Sequence, residues 1–275
     1  MIVLLAVLVL LWEGYKAVGK ASGGLIPGTA FGLPVSPYDT SMPHVWDIVG
    51  TLFEPAQRGS SRTVLLILLE ASLFTFREVL LGFTIGSLFG FALAVLFVIS
   101  APMERGLMPY VVGSQTVPLL AIAPMVVIWG SQIGWPAWGS VAVISAYLSF
   151  FPVTINTLRG LRSPSPTAIE LMRSYAATRS QLLWKLQVPG ALPYIFTALK
   201  LAATASVVGA IIGELPSGLS VGLGRSLLNA SYFFGTAPER LFAVILIAAL
   251  MGMVAFGMVA LAEKLVLPDE RRADG

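Results

Sequence analysis

The sequence predicts an all-α membrane protein with about six transmembrane helices. Of its 275 residues, 56% are hydrophobic and only 11% are charged, and the mean hydropathy is +0.85. A soluble domain carries about 25% charged residues, so most of this chain must lie in lipid. A membrane span needs ~20 predominantly apolar residues. The runs that we interpret as spans are residues 2–18, 79–99, 107–129, 138–158, 193–213 and 241–262.

The first run is the least regular, because Glu13 and Lys16 interrupt it. A secretory signal peptide is the alternative interpretation. However, no basic segment precedes the apolar residues and no clear small-residue cleavage site follows them. We therefore expect a short first span. Residues 62–78 are mixed in character, and we expect them to form an interfacial helix that leads into the second span.

Three glycines recur every four residues in the second run, at Gly82, Gly86 and Gly90. Small residues at this spacing lie on one helix face and allow another helix to approach closely in lipid. The pattern predicts tight packing within the bundle rather than a solute site.

A polar, basic segment separates the fourth and fifth runs. Thr167 and Glu170 have the spacing of a capping box, which predicts that a helix begins there. Thr178 and Gln181 repeat this spacing and predict a second short helix that begins at about residue 180. Pro189 should end that second helix, because the residue before a proline disfavours helical geometry. The segment therefore predicts two short helices outside the membrane.

The spacing in this segment resembles a known motif: Glu-Ala-Ala, three residues, Gly, nine residues, and Ile-x-Leu-Pro. That motif marks the cytoplasmic coupling loop in permease subunits of ATP-binding-cassette importers that depend on a binding protein. Here the three elements correspond to Glu170-Leu171-Met172, Ala176 and Leu186-Gln187-Val188-Pro189. Alanine stands at position 176, where the motif has glycine.

Two further stretches carry the same resemblance. Glu70-Ala71-Ser72, Arg77 and Gly82-Phe83 are spaced as in permeases of the sulfonate, taurine and nitrate type. Gly213-Glu214-Leu215-Pro216, followed by Gly222-Leu223-Gly224, is similar to permeases for riboflavin or pyrimidine precursors of thiamine. The resemblance covers about residues 62–265.

The resemblance implies a permease that forms the pathway for a small organic solute and is itself not an enzyme. Its expected partners are an ATPase subunit, which would hold ATP and Mg, a second permease copy or sister permease, and an extracytoplasmic solute-binding protein. The implied ATPase-coupling residues are Glu170, Leu171, Met172, Arg173, Ala176, Ala177 and Pro189.

Five polar residues are candidates for the solute pathway. Ser114, Gln115 and Thr116 precede Pro118 in the third run, and broken helices occur at membrane depth where they line a cavity or are covered by protein. Hydrogen bonding between helices is the alternative role for Gln115. Lys200 either extends to the headgroups or pairs with a carboxylate or carbonyl inside the bundle. Glu214 either meets a docking protein, closes an external gate, or sits at the membrane interface.

Composition excludes several other functions. The chain has no cysteine and a single histidine, so thiolate, iron–sulfur and histidine-based metal chemistry have no basis in it. The phosphate-binding motif Gly-x-x-x-x-Gly-Lys-Ser/Thr is absent. The net charge of +3 is scattered along the chain, so it does not indicate nucleic-acid binding. An ion-gradient-driven secondary transporter remains the alternative, although we find no internal repeat.

The Lys/Arg bias of the short loops predicts the orientation. Basic residues concentrate in the 2–3 loop, in the 4–5 loop and after the last span, which predicts that both termini are cytoplasmic in a bacterial-type inner membrane. We expect residues 1–61 to hold the first span and an extracytoplasmic loop. Residues 62–268 would form the permease domain, with the coupling loop at 159–190, and residues 269–275 a cytoplasmic tail.

Overall fold

The computed structural model describes residues 2–26, 29, 31–57 and 61–267, so the predicted tail at 269–275 lies outside it. Within these ranges the regular elements are helices, and the only β-pairing is two isolated bridges. The α-helices are α1 (Ile2–Ala21), α2 (Val45–Thr51), α3 (Val64–Ile99), α4 (Ala101–Ser114), α5 (Leu119–Gln132), α6 (Ala137–Leu161), α7 (Pro166–Ser174), α8 (Arg179–Leu182), α9 (Val188–Glu214), α10 (Leu223–Tyr232) and α11 (Pro238–Val266). A π-helical segment, π1 (Leu183–Gln187), joins α8 to α9.

The all-α membrane class is confirmed. Among the described residues, four helices are long and apolar enough to cross a membrane: Val64–Ile99, Ala137–Leu161, Arg179–Glu214 and Pro238–Val266. The pair α4 and α5 would make a fifth if it counts as one span. The first predicted span corresponds to α1, which is not among these, so the count of six stays a prediction.

The second span is longer than the sequence suggested. Instead of a separate interfacial helix at 62–78, α3 runs without interruption through Val64–Ile99 for 36 residues. At 1.5 Å per residue this is about 54 Å, well beyond the ~30 Å of a hydrocarbon core. The predicted boundary at residue 78 is wrong, because the charged side chains there do not interrupt the backbone hydrogen bonding of the helix.

The third predicted span is broken. The run at 107–129 is interrupted beside Pro118, where the sequence predicts broken helical geometry, and α4 and α5 have 14 residues each and meet at an angle of 101°. Pro118 is the N-cap residue of α5 and has extended geometry. A proline has no amide hydrogen and disfavours helical geometry in the residue before it, which explains why the helix stops ahead of Pro118.

The chain forms two compact units. The first comprises Met1–Leu73 and Val221–Ala249. In it, the loop after α1 folds back on that helix: Trp12 Nε1 donates to the carbonyl of Pro43 (3.0 Å), and His44 Nδ1 lies 2.7 Å from Glu13. Asp39 contacts the buried Lys16 at 2.6 Å and the ammonium of Lys20 at 3.1 Å. The ammonium of Lys16, and after it that of Lys20, lowers the pKa of Asp39 to about 2.

The second unit comprises Phe74–Ser220 and Leu250–Gly275, and α6 lies at its centre. The predicted glycine face of α3 packs on α6. A Cβ atom at Gly86 would lie 2.2 Å from Ser149 Oγ and 2.6 Å from the carbonyl of Ala146. A Cβ atom at Gly82 would lie 2.3 Å from Ser145 Oγ. These glycines are therefore required for the approach of two backbones.

Helix α9 packs on another face of α6 in the same manner. A Cβ atom at Gly209 would lie 2.8 Å from the Cα of Ser145. The hydroxyl of Ser145 is buried and donates to the backbone carbonyl of Ser206 at 2.9 Å. Close approach and an interhelical hydrogen bond together hold these two helices, as is typical in lipid.

We expect Gly86→Ala to destabilise the protein by about 1–3 kcal/mol, the usual cost of overpacking, because its methyl group would collide with α6. Thermal unfolding of the purified chain in detergent measures the change. The matched control is Gly252→Ala in α11, where a Cβ atom meets nothing within 4 Å. Equal melting temperatures for the two variants would show that the α3–α6 contact is not tight.

Candidate functional site

The predicted coupling loop begins with α7, but the capping residue differs from the prediction. The N-cap of α7 is Ser165, whose hydroxyl accepts a hydrogen bond from the amide of Ala168 at 3.3 Å. The capping box predicted for Thr167 and Glu170 is therefore wrong. Pro166 explains the difference, because a proline is favoured in the first turn of a helix, where its missing amide hydrogen is not needed. Glu170 consequently lies on the exposed part of α7.

The turn between the two short helices lies at Ala176. This residue has φ of +54°, the left-handed conformation that glycine adopts without strain. Among the described non-glycine residues it alone has a positive φ. The alanine therefore adopts the backbone geometry that the glycine of the family motif would provide, and the chain does turn sharply here.

The second capping box is confirmed. Thr178 caps α8: its hydroxyl accepts from the amide of Gln181, and the side chain of Gln181 accepts from the amide of Thr178 at 2.8 Å. The helix begins at Arg179, one residue before the predicted start.

The prediction that the helix ends before Pro189 is wrong. The chain passes from α8 through π1 into α9, and Arg179–Glu214 behaves as one 36-residue helix. Pro189 occupies the first turn of α9. Proline lacks the amide hydrogen that an α-helix needs at this position. The π-bulge just before it changes the local hydrogen-bond pattern, so the helix continues past Pro189.

The loop presents a mixed apolar and charged surface. Leu171 is 57% exposed and Tyr175 80% exposed, and Glu170 and Arg173 are exposed beside them. Within the described residues, the side chain of Glu170 forms no hydrogen bond or ion pair. Exposed large apolar side chains surrounded by charges are typical of a protein–protein contact.

The polar trio of the predicted pathway lies at the break between α4 and α5. Gln115 and Thr116 are exposed, and the hydroxyl of Thr116 donates to the carbonyl of Gly113 at 2.8 Å. The carbonyl of Ser114 accepts a short hydrogen bond from the hydroxyl of Tyr147 on α6. This contact ties the break to the central helix, and the side-chain amide of Gln115 donates to the hydroxyl of the neighbouring Ser114 at 3.3 Å.

Lys200 pairs with a carboxylate inside the bundle, one of the two roles left open by the sequence. Its Nζ lies 3.0 Å from Oε2 of Glu263 on α11, and the two side chains are only 21% and 16% exposed. Such a pair satisfies both charges and joins α9 to α11.

Glu214 at the end of α9 is buried, with 1% exposure, and accepts a hydrogen bond of 2.5 Å from the hydroxyl of Thr75. A carboxylate that is buried in this way is not accessible to a docking protein in the conformation described. Glu78 on α3 is buried as well.

The structure gathers the predicted coupling residues into one loop, but it does not bring the predicted pathway residues together. Lys200 and Glu214 lie 14 positions apart on α9, about 21 Å at 1.5 Å per residue. Sequence reasoning missed Glu263 and Thr75 as the partners of Lys200 and Glu214. The available signal was the rarity of charge at membrane depth, which favours a partner on another helix.

Comparison with known proteins defines the class. The family "Binding-protein-dependent transport system inner membrane component" matches residues 82–267, and the chain belongs to this family. It is therefore the permease subunit of an ATP-binding-cassette importer, a multi-pass inner-membrane protein.

Individual relatives agree with this assignment. The chain is 36% identical to the formylaminopyrimidine transport permease protein ThiX of Halalkalibacterium halodurans, over 68% of this chain and 72% of that protein. It is 32% identical to a putative aliphatic sulfonates transport permease protein SsuC of Bacillus subtilis, over 68% and 65%. Among solved structures, an amino acid ABC transporter has a similar fold, with a TM-score of 0.58 and 21% identity over 74% of this chain and 95% of that chain.

We expect Ala176→Gly to stabilise the turn by about 1 kcal/mol, since a left-handed alanine costs roughly 1–2 kcal/mol. Hydrogen exchange of the backbone amides at 171–182 measures the local opening free energy. The control is Ala177→Gly, at a residue without positive φ, which should loosen the same loop. Faster exchange in Ala176→Gly than in the unmodified chain would contradict the strain.

Proposed function

We propose that this chain forms the translocation pathway for a small organic solute and is driven by separate ATPase subunits that hold the α7–α8 loop. The names of its relatives support this solute class: formylaminopyrimidine, riboflavin, aliphatic sulfonates and taurine. An extracytoplasmic binding protein would deliver the solute, and a second copy or sister permease would complete the pathway. ATP and Mg would be bound by the ATPase.

The observation that carries the proposal is the continuity of Arg179–Glu214. The exposed loop is joined to a membrane span without a flexible linker. A displacement of α7 and α8 by closing ATPase subunits is therefore passed directly to the span as a rigid-body movement. Along that span lie Lys200, bonded to α11, and Glu214, bonded to α3. The continuous helix Arg179–Glu214, called the lever below, thus acts on two other spans.

Orientation follows from the same proposal. If ATPase subunits hold the α7–α8 loop, that loop is cytoplasmic, as its basic residues Arg173, Arg179 and Lys185 predict. We assign the break between α4 and α5 to a wall of the pathway, since its backbone departs from helical geometry and the amide side chain of Gln115 is exposed there.

The test is solute uptake into liposomes that contain the permease. Uptake should require the ATPase subunit, ATP and the binding protein together. Glu170→Lys should lower the uptake rate at least tenfold and weaken co-purification of the ATPase, because it reverses the charge of an unpaired side chain at the contact. Glu170→Gln is the control with similar size and smaller expected loss. Uptake driven by a proton or sodium gradient without ATPase would instead establish a secondary transporter.

A separate experiment examines the pathway. The native chain has no cysteine, so single cysteines at Gln115 and Thr116 are unambiguous reporters. We expect a water-soluble thiol reagent to label both, with rates that change at least severalfold between nucleotide-free and ATP-bound transporter. A cysteine at the buried Ala142 is the unlabelled control. No labelling of positions 115 and 116 in either state would remove them from the pathway.

A further inference from the structure

Two adjoining cavities open where α6 ends and α9 begins. One has a volume of about 480 Å³ and lies against π1 and the first turn of α9. The other has a volume of about 530 Å³ and lies between the first turns of α4 and the last turns of α6. Ser163 and Tyr194 line both, so the cavities meet at these two side chains.

Cationic side chains line both cavities. Lys185 lines the first cavity, and Arg159 and Arg162 line the second. Glu104 is the acid in the lining, and it is already bonded to Arg162 at 2.5 Å. Arg159 and Lys185 form no ion pair with any residue that the structure describes. The two cavities therefore carry a net positive charge that this chain leaves uncompensated.

The remaining walls are apolar. Met108, Ile155 and Leu158 line the second cavity, and Leu186, Pro189 and Pro193 line the first. Each cavity thus combines a cation with hydrocarbon. The location is the end of a membrane span, since α6 stops at Leu161, and Tyr194 is of the type that concentrates at headgroup level.

We propose that the two cavities bind the headgroup of an anionic phospholipid, with its phosphate between Arg159 and Lys185. Basic pockets between spans at the cytoplasmic surface are suited to acidic headgroups. A free phosphate ion would use the cations and the hydroxyls but would leave the apolar walls uncovered, whereas the upper acyl segments of a lipid cover them. An acidic segment of the ATPase would leave the same walls uncovered. The inference relies on the proposed orientation, which places this end at the cytoplasmic surface.

The bound lipid would have a mechanical role. Pro189 lines one cavity and belongs to the predicted coupling segment, and Arg159 is on the central helix. A phosphate held by both Arg159 and Lys185 joins the start of the lever to α6. Anionic lipid is therefore expected to stabilise the position of the α7–α8 loop relative to α6.

Native mass spectrometry of the full-length permease tests the proposal, with phosphatidylglycerol as probe and phosphatidylcholine as the neutral comparison. We expect preferential binding of phosphatidylglycerol, and an at least tenfold higher Kd in the double variant Arg159→Gln/Lys185→Gln. The charge-matched control is Arg173→Gln/Arg179→Gln, which removes two cations from the same loop outside both cavities. The conservative pair Arg159→Lys/Lys185→Arg should keep the affinity and shows that loss is not caused by misfolding.

Four outcomes would overturn the proposal. These are an equal affinity for phosphatidylcholine, an equal loss in the control variant, displacement of the lipid by millimolar inorganic phosphate, and complete loss of lipid binding when the ATPase assembles on the permease. Displacement by phosphate would identify a free-anion site, and loss on assembly would identify a protein contact. The two proposals can fail separately. If only the lipid proposal is wrong, the unmodified permease still shows ATP-dependent uptake. If the proposed function is wrong, that uptake is absent while lipid binding can still be measured.

Discussion

The close contact of α6 with α3 and α9 is the constraint on which the second unit depends. In lipid, apolar side chains gain little by leaving one hydrocarbon surface for another, so helices associate through tight packing and internal hydrogen bonds. Here the glycines of α3 and Gly209 of α9 remove the side chains that would separate the backbones. The buried hydroxyls of Ser149 and Thr154 bond to carbonyls within α6, so they add no unpaired polar group to the contact.

That packing makes α6 the fixed support for the neighbouring helices. Because α6 is fixed on both sides, the α4–α5 break held by Tyr147 and the start of α9 are positioned against a common support. The two ionisable contacts of α9, at its middle through Lys200 and at its end through Glu214, then depend on the same alignment of α9 with its neighbours. Each is costly in lipid unless its partner is in place, so each favours discrete arrangements of the helices over continuous sliding.

The sequence was most informative where the controlling interaction is local. The capping box at Thr178 could be predicted because both of its hydrogen bonds lie within four residues. The neighbouring one at Thr167 was wrong because Ser165 is an equally good cap and the proline after it decides between them. Membrane class and family were readable from apolar runs and motif spacing.

Other features depend on distant residues and could not be predicted in this way. The partner of Lys200 is Glu263, 63 positions along the chain, and the partner of Glu214 is Thr75, 139 positions away. No local pattern selects these among several acids and hydroxyls. Pro189 was misread for a related reason. A proline ends an α-helix by removing one hydrogen bond, but the π-type segment before it had already changed the pattern, and periodicity alone does not reveal such a segment.

The π segment also preserves the direction in which the span faces. A π-bulge corresponds to one extra residue in an α-helix, and each residue turns an α-helix by about 100°. The wide turn of π1 takes up that extra residue, so deleting one residue within Leu183–Gln187 would restore ordinary α-helical winding and leave the faces of α9 unchanged relative to α8. Lys200 would then still face Glu263. The five residues of π1 therefore let the chain hold one more residue without changing the alignment of the loop outside the membrane with the span inside it.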